Sequence, residues 1–285
     1  GLKMDLTVII NDLGVLNVIA ISAIVFIGLP HGAMDGAVAY RLGWMGDLKK
    51  SASFFIFYVL ISICVVLFWI KFPVIALIGF LGISMIHFGI GDVHGLEDAR
   101  VWIEVVAHGG VVICGISMAH MTNVDEIYSA LIGGESTRWV WGFIYVTTAL
   151  TACALLYCIT RFYVNEKWKK TSFELIFLGI TFYLLPPLLA FAFYFCFVHS
   201  IRHFKNIYST LNDGLSNKKI YWLTFLFSII TWIVGGLLLA LNQGSIEIET
   251  QLLRIIFIGL AALTVPHMIL IDGWVKPNRL EREYL

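Results

Sequence analysis

The sequence predicts an all-α, polytopic membrane protein: a bundle of about eight or nine transmembrane segments, some of them short or broken. Of the 285 residues, 59% are hydrophobic and only 13% are charged, whereas a soluble domain carries about 25% charged residues. Apolar runs of roughly 18 to 25 residues, the length that spans a bilayer, recur along the chain. Lipid offers no hydrogen-bond partners to the backbone, so each run is expected to be a helix.

We expect residues 1–285 to form one integral-membrane catalytic domain. Its apolar runs are consecutive segments of the chain. In chain order they are 13–29, 54–70, 73–91, 101–118, 139–160, 173–185, 188–204, 220–241 and 252–274. The sixth is short and stops at Pro186 and Pro187, where proline removes a backbone donor and disfavours helix at the residue before it. Residues 173–204 are therefore either two short crossings or one broken crossing. Glycines of the third and fourth segments allow helix backbones to approach closely: Gly79, Gly82, Gly89, Gly91, Gly109 and Gly110.

Loop charges predict the orientation. Lysine and arginine cluster after the first and fifth segments, before the eighth and at the end of the chain, whereas acidic residues dominate the loops after the fourth and eighth. Basic loops mark the cytoplasmic side, and all loops agree only if residues 173–204 cross twice. We expect a multi-pass protein of the cell (inner) membrane, with its N-terminus outside and its C-terminus cytoplasmic. No cleavable signal peptide is expected, since the first apolar run lacks the flanking pattern.

Two classes of partner or site are disfavoured by composition. The net charge is zero, so no nucleic-acid partner is expected. The five cysteines lie inside apolar stretches without CxxC spacing, which predicts neither a disulfide framework nor a zinc–thiolate site.

Five histidines fall in the cytoplasmic half of their segments. They are His31, His87, His199, His203 and His267. A lipid-facing imidazole is costly, so several at one depth indicate a metal site. His199 and His203, four residues apart, lie about 40° apart on one helix face, which suits shared chelation; alone, the pair could also cap a helix or face lipid headgroups. The remaining histidines are expected to be bystanders: His94, His108 and His120.

Aspartates follow three of these histidines along the chain: Asp35, Asp92 and Asp272. A metal-bound histidine usually donates its second N–H to a carboxylate or a carbonyl. The aspartates are therefore candidates to orient the ligands, or else they mark the membrane edge.

The predicted donor set points to oxidative chemistry. All-imidazole ligation suits iron, copper or zinc. Four neutral histidines do not neutralise the charge of the metal ion, and they leave coordination positions open for dioxygen. Both features favour Fe(II). Candidate substrate-lining side chains are Met34, Phe191, Tyr194, Phe195 and Met268. Aromatic and thioether groups line apolar tunnels well, although ordinary helix packing explains them equally.

The motifs that carry these residues are Gly28-Leu-Pro-His-Gly-Ala-Met-Asp35, His87-Phe-Gly, His199-Ser-Ile-Arg-His203 and Pro266-His267. In them the chain resembles the Brp/Blh family of membrane-embedded carotene dioxygenases. The resemblance implies cleavage of β-carotene by O₂ at its central 15,15′ double bond, which gives two molecules of all-trans-retinal. It also implies Fe²⁺ held by His31, His87, His199 and His203. His267 stays open between a ligand, a donor to a ligand and a group that touches dioxygen, and hand-off of retinal to an opsin stays open as well.

Two rival functions are also open at this point. A zinc-dependent membrane hydrolase of lipid amides or esters, ceramidase-like, would use three histidines, an aspartate and a serine such as Ser84. A haem electron-transfer protein or a transporter would use the histidines without chemistry on a substrate. Metal analysis and the absorption spectrum separate these alternatives.

Overall fold

A computed structural model describes residues 14–93, 100–164, 166–212, 216–241 and 247–275 of the chain. In these ranges every regular element is a helix and none is a strand, so the all-α prediction is confirmed. Seven helices of the described ranges are long and apolar enough to cross a membrane, and Val15–Gly28 is a shorter apolar helix. The chain is a polytopic helical membrane protein.

The α-helices are numbered here in chain order. They are α1 (Val15–Ala23), α2 (Leu29–Gly32), α3 (Asp35–Arg41), α4 (Leu48–Lys71), α5 (Pro73–Asp92), α6 (Val101–Gly110), α7 (Ile116–Ala119), α8 (Met121–Leu131), α9 (Arg138–Thr160), α10 (Glu166–Leu184), α11 (Pro187–Phe193), α12 (Ser200–Asn212), α13 (Asn217–Leu241) and α14 (Ile248–Leu270). Wider π-helical turns interrupt or extend them at Ile24–Gly28, Val111–Gly115, Tyr194–His199 and Ile271–Val275.

The predicted segments agree closely with these helices. The third, 73–91, is α5 (Pro73–Asp92), and the fifth, 139–160, is α9 (Arg138–Thr160). The predicted break is confirmed: α10 ends at Leu184 and α11 begins at Pro187, with Pro186 in an extended conformation between them. The two crossings inferred for this region stay a prediction, and the first residue of the first predicted segment lies outside the described ranges.

One helix was not predicted. α8 occupies the acidic loop after α7, where the sequence analysis expected only a connection. Its buried residues, Val124, Tyr128 and Leu131, are spaced so that they share one helical face. The helix is amphipathic and too short to span a bilayer, so a search for long apolar runs does not detect it.

The described residues form two compact units, and the first contains residues 14–21 and 73–199. Its α5 and α6 pack closely because each offers a glycine at the crossing. A Cβ on Gly109 would overlap the carbonyl oxygen of Met85, and one on Gly89 would overlap that of Val105. The predicted role of these glycines is confirmed, and it brings the C-terminal half of α5, with His87, against α6.

The second unit contains residues 22–72 and 200–275 of the described chain. Its α4 and α14 are joined by the Ser62 hydroxyl, which donates to the carbonyl oxygen of Ala262 at 2.9 Å. A buried hydrophobic cluster holds its other helices together: Met34, Ala37, Val38, Ile207, Leu211, Ile220, Leu270 and Ile271. Almost none of the apolar side chains of α4 and α13 are buried: Trp69 is buried in α4 and Ile220 in α13, and the others are exposed or half-buried, which suits contact with lipid.

Candidate metal centre

The first compact unit brings two predicted histidines together. His87 lies on α5, and His199 ends the π-helical turn Tyr194–His199. Their ring centroids are 4.9 Å apart with planes at 67°, and both side chains are buried. Gly91 makes room for this arrangement, because a Cβ at that position would lie 3.2 Å from the Cε1 atom of His199.

Aromatic rings surround His199. Phe195 stacks on it with planes at 13° and a centroid distance of 6.2 Å, and Phe191 stacks in turn on Phe195 at 5.5 Å. Phe88 meets His199 edge to face at 4.9 Å, and Tyr194 lies at 6.1 Å. The predicted aromatic residues therefore border this imidazole, and Phe88, which sequence reasoning missed, belongs with them.

The local backbone helps to aim these side chains. A π-helical turn adds one residue per turn and therefore rotates the side chains within it; such turns occur often at functional sites. Three π-helical turns lie near predicted histidines. Tyr194–His199 includes His199, and Ile24–Gly28 directly precedes α2, which contains His31. Ile271–Val275 follows His267 closely. The side chain of His31 lies outside the described set.

The second compact unit contains a second imidazole pair. His203 on α12 and His267 on α14 have ring centroids 4.9 Å apart with planes at 58°, and both are buried. The continuous helical run 194–212 carries His199 and His203 four residues apart, as their spacing predicts.

A carboxylate orients this second pair. Nδ1 of His267 lies 2.8 Å from Oδ1 of Asp35, and the Tyr58 hydroxyl donates to Oδ2 of Asp35 at 2.9 Å. An ionised carboxylate only accepts, so Nδ1 of His267 donates to Asp35, and in the neutral ring Nε2 then presents a lone pair. A carboxylate, a histidine and a lone pair so arranged are typical of metal ligation. Sequence proximity paired Asp35 with His31, but its partner in the structure is 232 residues away along the chain.

The other two aspartates lie in different surroundings. Asp92 accepts a hydrogen bond from the Tyr194 hydroxyl at 2.6 Å. Asp272 is partly buried in the π-helical turn Ile271–Val275. Of the proposed substrate-lining methionines, Met34 is buried in the hydrophobic cluster of its unit and Met268 is partly buried beside His267.

A third group of ligating side chains was missed by sequence reasoning. Asp92, His108 and Glu174 each place a ligand atom within 4.8 Å of the other two. His108 was expected to be a bystander, and Glu174 was not considered because a single glutamate in an otherwise apolar segment carries no spacing signal. Nε2 of His120 donates to the carbonyl oxygen of Phe182 at 2.8 Å, and its role as a bystander stays a prediction. His94 lies outside the described ranges.

Comparison with known proteins gives a consistent result. The sequence profile of one family, beta-carotene 15,15'-dioxygenase, matches residues 22–275. A protein named beta-carotene 15,15'-dioxygenase from an uncultured marine bacterium, 66A03, is 35% identical over 264 residues, which cover 91% of this chain and 94% of that protein. A probable beta-carotene 15,15'-dioxygenase Blh from Halobacterium salinarum is 27% identical over 214 residues, 64% of this chain and 59% of that protein. No solved structure gives a significant match.

Proposed function

Because the chain belongs to the beta-carotene 15,15'-dioxygenase family, we propose that it cleaves β-carotene with O₂ at the central 15,15′ double bond and releases two molecules of all-trans-retinal. The observation that carries this proposal is 35% identity to the marine relative over 91% of the chain. The family profile spans residues 22–275 and so includes His31 and both imidazole pairs.

The metal of the proposed enzyme is Fe(II), with His31, His87, His199 and His203 as ligands and His267 as a further ligand or a neighbour. The donor chemistry fits, since His87 and His199 are buried side by side and imidazole is a donor that suits iron. When bound, iron supplies the activation of dioxygen that oxidative cleavage of an alkene requires.

Asp35 has the task of holding His267. Its Oδ1 accepts from Nδ1 of His267, and its Oδ2 accepts from Tyr58, so both carboxylate oxygens are fixed. The proton of the His267 ring then stays on Nδ1, and the lone pair on Nε2 of His267 points in one fixed direction. This contact supports a role for His267 at the metal, in the same unit as His203.

The substrate would lie against the aromatic residues near His199. Phe191, Tyr194 and Phe195 present flat apolar faces of the kind that pack against a conjugated polyene. Met34 and Met268, in the second compact unit, stay proposed substrate-lining residues. The work of these side chains is to set the register of the polyene, so that one double bond among many similar ones is held in place for reaction.

A membrane site suits such a substrate. The apolar surfaces of α4 and α13 face outward, which is consistent with a protein embedded in lipid. We propose that β-carotene enters the site from the bilayer. The proposed location is the cell (inner) membrane, with the N-terminus outside and the metal site in the cytoplasmic half. Residues 1–285 are proposed to act as one catalytic domain. Hand-off of retinal to an opsin stays a prediction.

The direct test incubates the detergent-purified protein with β-carotene under air and under argon, with product chromatography and metal analysis on the same sample. We expect iron in the protein, and retinal under air only. Zinc in the protein with no retinal under air would overturn this proposal in favour of the hydrolase that uses Ser84, and a Soret band would favour a haem protein.

A further inference from the structure

We propose that Asp92, His108 and Glu174 form a second binding site for a divalent metal ion, separate in its residues from the imidazoles of the proposed iron centre. One ligand atom from each side chain lies within 4.8 Å of the other two. The three residues come from α5, α6 and α10, so tertiary packing of the first compact unit brings them together rather than local sequence.

Burial separates this group from ordinary surface carboxylates. Asp92 is 3% exposed, His108 is fully buried, and the Glu174 side chain is 17% exposed. Two carboxylates side by side in a dry interior repel each other. A divalent cation between them offsets this repulsion.

The distances suit an ion with a small adjustment. Nδ1 of His108 is 3.9 Å from Oε1 of Glu174, longer than a hydrogen bond but within the separation of two ligands on one ion. With bonds of about 2.2 Å, two ligands of a tetrahedral ion lie about 3.6 Å apart and two opposite ligands about 4.4 Å apart. The separation of His108 and Glu174 falls between these values, and the group closes on an ion when its side chains move together by up to about an ångström.

Asp92 is also held in one orientation. The Tyr194 hydroxyl donates to its Oδ2 at 2.6 Å, and hydrogen bonds of this kind commonly orient carboxylates that bind metals. The ring of Tyr194 lies 6.1 Å from that of His199. An ion at the second site would therefore fasten α5, α6 and α10 close to the residues that surround His199.

The chain supplies a matched control one turn away. Glu104, four residues before His108 on α6, is fully buried, but Lys167 lies 3.1 Å from its Oε2 and the Thr171 hydroxyl donates to its Oε1 at 3.0 Å. Its charge is balanced by a lysine of α10. Replacing Glu104 disturbs the same helix pair without removing a proposed ligand.

The donor set predicts which ion to use as a probe. Two carboxylates and one imidazole form a harder site than a cluster of histidines, and carboxylate oxygen suits Mn²⁺ whereas imidazole suits iron, zinc and copper. We therefore titrate the purified, iron-containing protein with Mn²⁺ under argon and measure free Mn²⁺ by electron paramagnetic resonance.

The wild-type protein should bind one Mn²⁺ and unfold at a higher temperature with it. Glu174→Gln and His108→Gln should each weaken Mn²⁺ binding at least about tenfold, whereas Glu104→Gln should leave it unchanged. His199→Ala should keep Mn²⁺ binding while it loses iron and retinal formation. No Mn²⁺ binding in the wild type, or equal losses in Glu104→Gln and Glu174→Gln, would overturn the second site.

Pulsed spectroscopy of Mn²⁺ on the wild-type protein gives a readout that needs no variant. One coupled imidazole nitrogen is expected; no nitrogen, or several, would overturn the assignment.

The experiments can overturn the second site and the proposed function independently of each other. If His199→Ala abolishes iron and retinal while Mn²⁺ never binds, the dioxygenase proposal stands and the second site falls.

Discussion

The two imidazole pairs have the same ring separation and different surroundings. His87 and His199 are 4.9 Å apart among aromatic rings, whereas His203 and His267 are 4.9 Å apart beside a carboxylate. In the first pair, Phe88 and its aromatic neighbours pack against the rings. In the second, ring orientation follows from the hydrogen bond to Asp35, which is charge-assisted and directional. The two pairs should therefore respond differently to substitution.

Removing an imidazole from either pair should have the largest effect. His199→Ala and His203→Ala should each lower bound iron and reduce retinal formation by more than about 100-fold, because each deletes a proposed ligand rather than a group that orients one. Iron content, product chromatography and gel filtration on the same samples measure this.

The matched control for these variants is His120→Gln. The His120 ring donates to a backbone carbonyl, and glutamine keeps a donor, so iron and activity should be retained. A His199→Ala protein with full iron and full activity would remove this histidine from the proposed centre.

Asp35→Asn tests the carboxylate of the second pair. The amide keeps the size of the side chain and loses the charge that fixes the proton on Nδ1 of His267, so retinal formation should fall about 10- to 100-fold. The thermal unfolding temperature distinguishes this from a structural effect, because it should stay near that of the wild-type protein. Full activity with full iron would show that Asp35 only packs.

Larger side chains test the lining residues and sharpen the contrast between the pairs. Phe191→Trp, in the aromatic surroundings of His199, and Met268→Phe, beside His267, should lower the rate of retinal formation several-fold and leave iron content near wild type, because they alter space for the polyene. Parallel loss of iron and rate would indicate that these residues support the fold instead.

Tyr58→Phe should have the smallest effect. It removes one hydrogen bond to Oδ2 of Asp35 and leaves the contact between Asp35 and His267 in place. A net contribution of about 1 kcal/mol is typical of such a bond, so a modest decrease in the thermal unfolding temperature and an almost unchanged rate are expected. A loss as large as that of Asp35→Asn would give Tyr58 a direct role.

Most of the fold could be predicted from the sequence because the bilayer imposes length and hydrophobicity on each helix. The break at Pro186 followed from the chemistry of proline, and the close crossing of α5 and α6 followed from their glycines. α8 was missed because it is short and amphipathic. The π-helical turns were missed because no hydrophobic pattern encodes them.

The candidate site was predictable where its parts share a helical spacing or a depth in the membrane, as His87 and His199 do. The spacing of His199 and His203 identified them on one helical run. The contact of Asp35 with His267 spans 232 residues, and the approach of Glu174 to His108 depends on the packing of α6 against α10. Contacts of this kind are set by tertiary structure, so spacing rules did not detect them.

The measurement that tests the central claim most directly is X-ray absorption at the iron edge on anaerobically purified wild-type protein, with iron per chain determined on the same sample. We predict that iron is bound by nitrogen ligands and that the absorption spectrum shows the outer-shell scattering of imidazole rings. The contribution of imidazole to the spectrum should be smaller in His199→Ala. Iron bound without imidazole, or a protein that forms retinal from β-carotene with no iron, would contradict it.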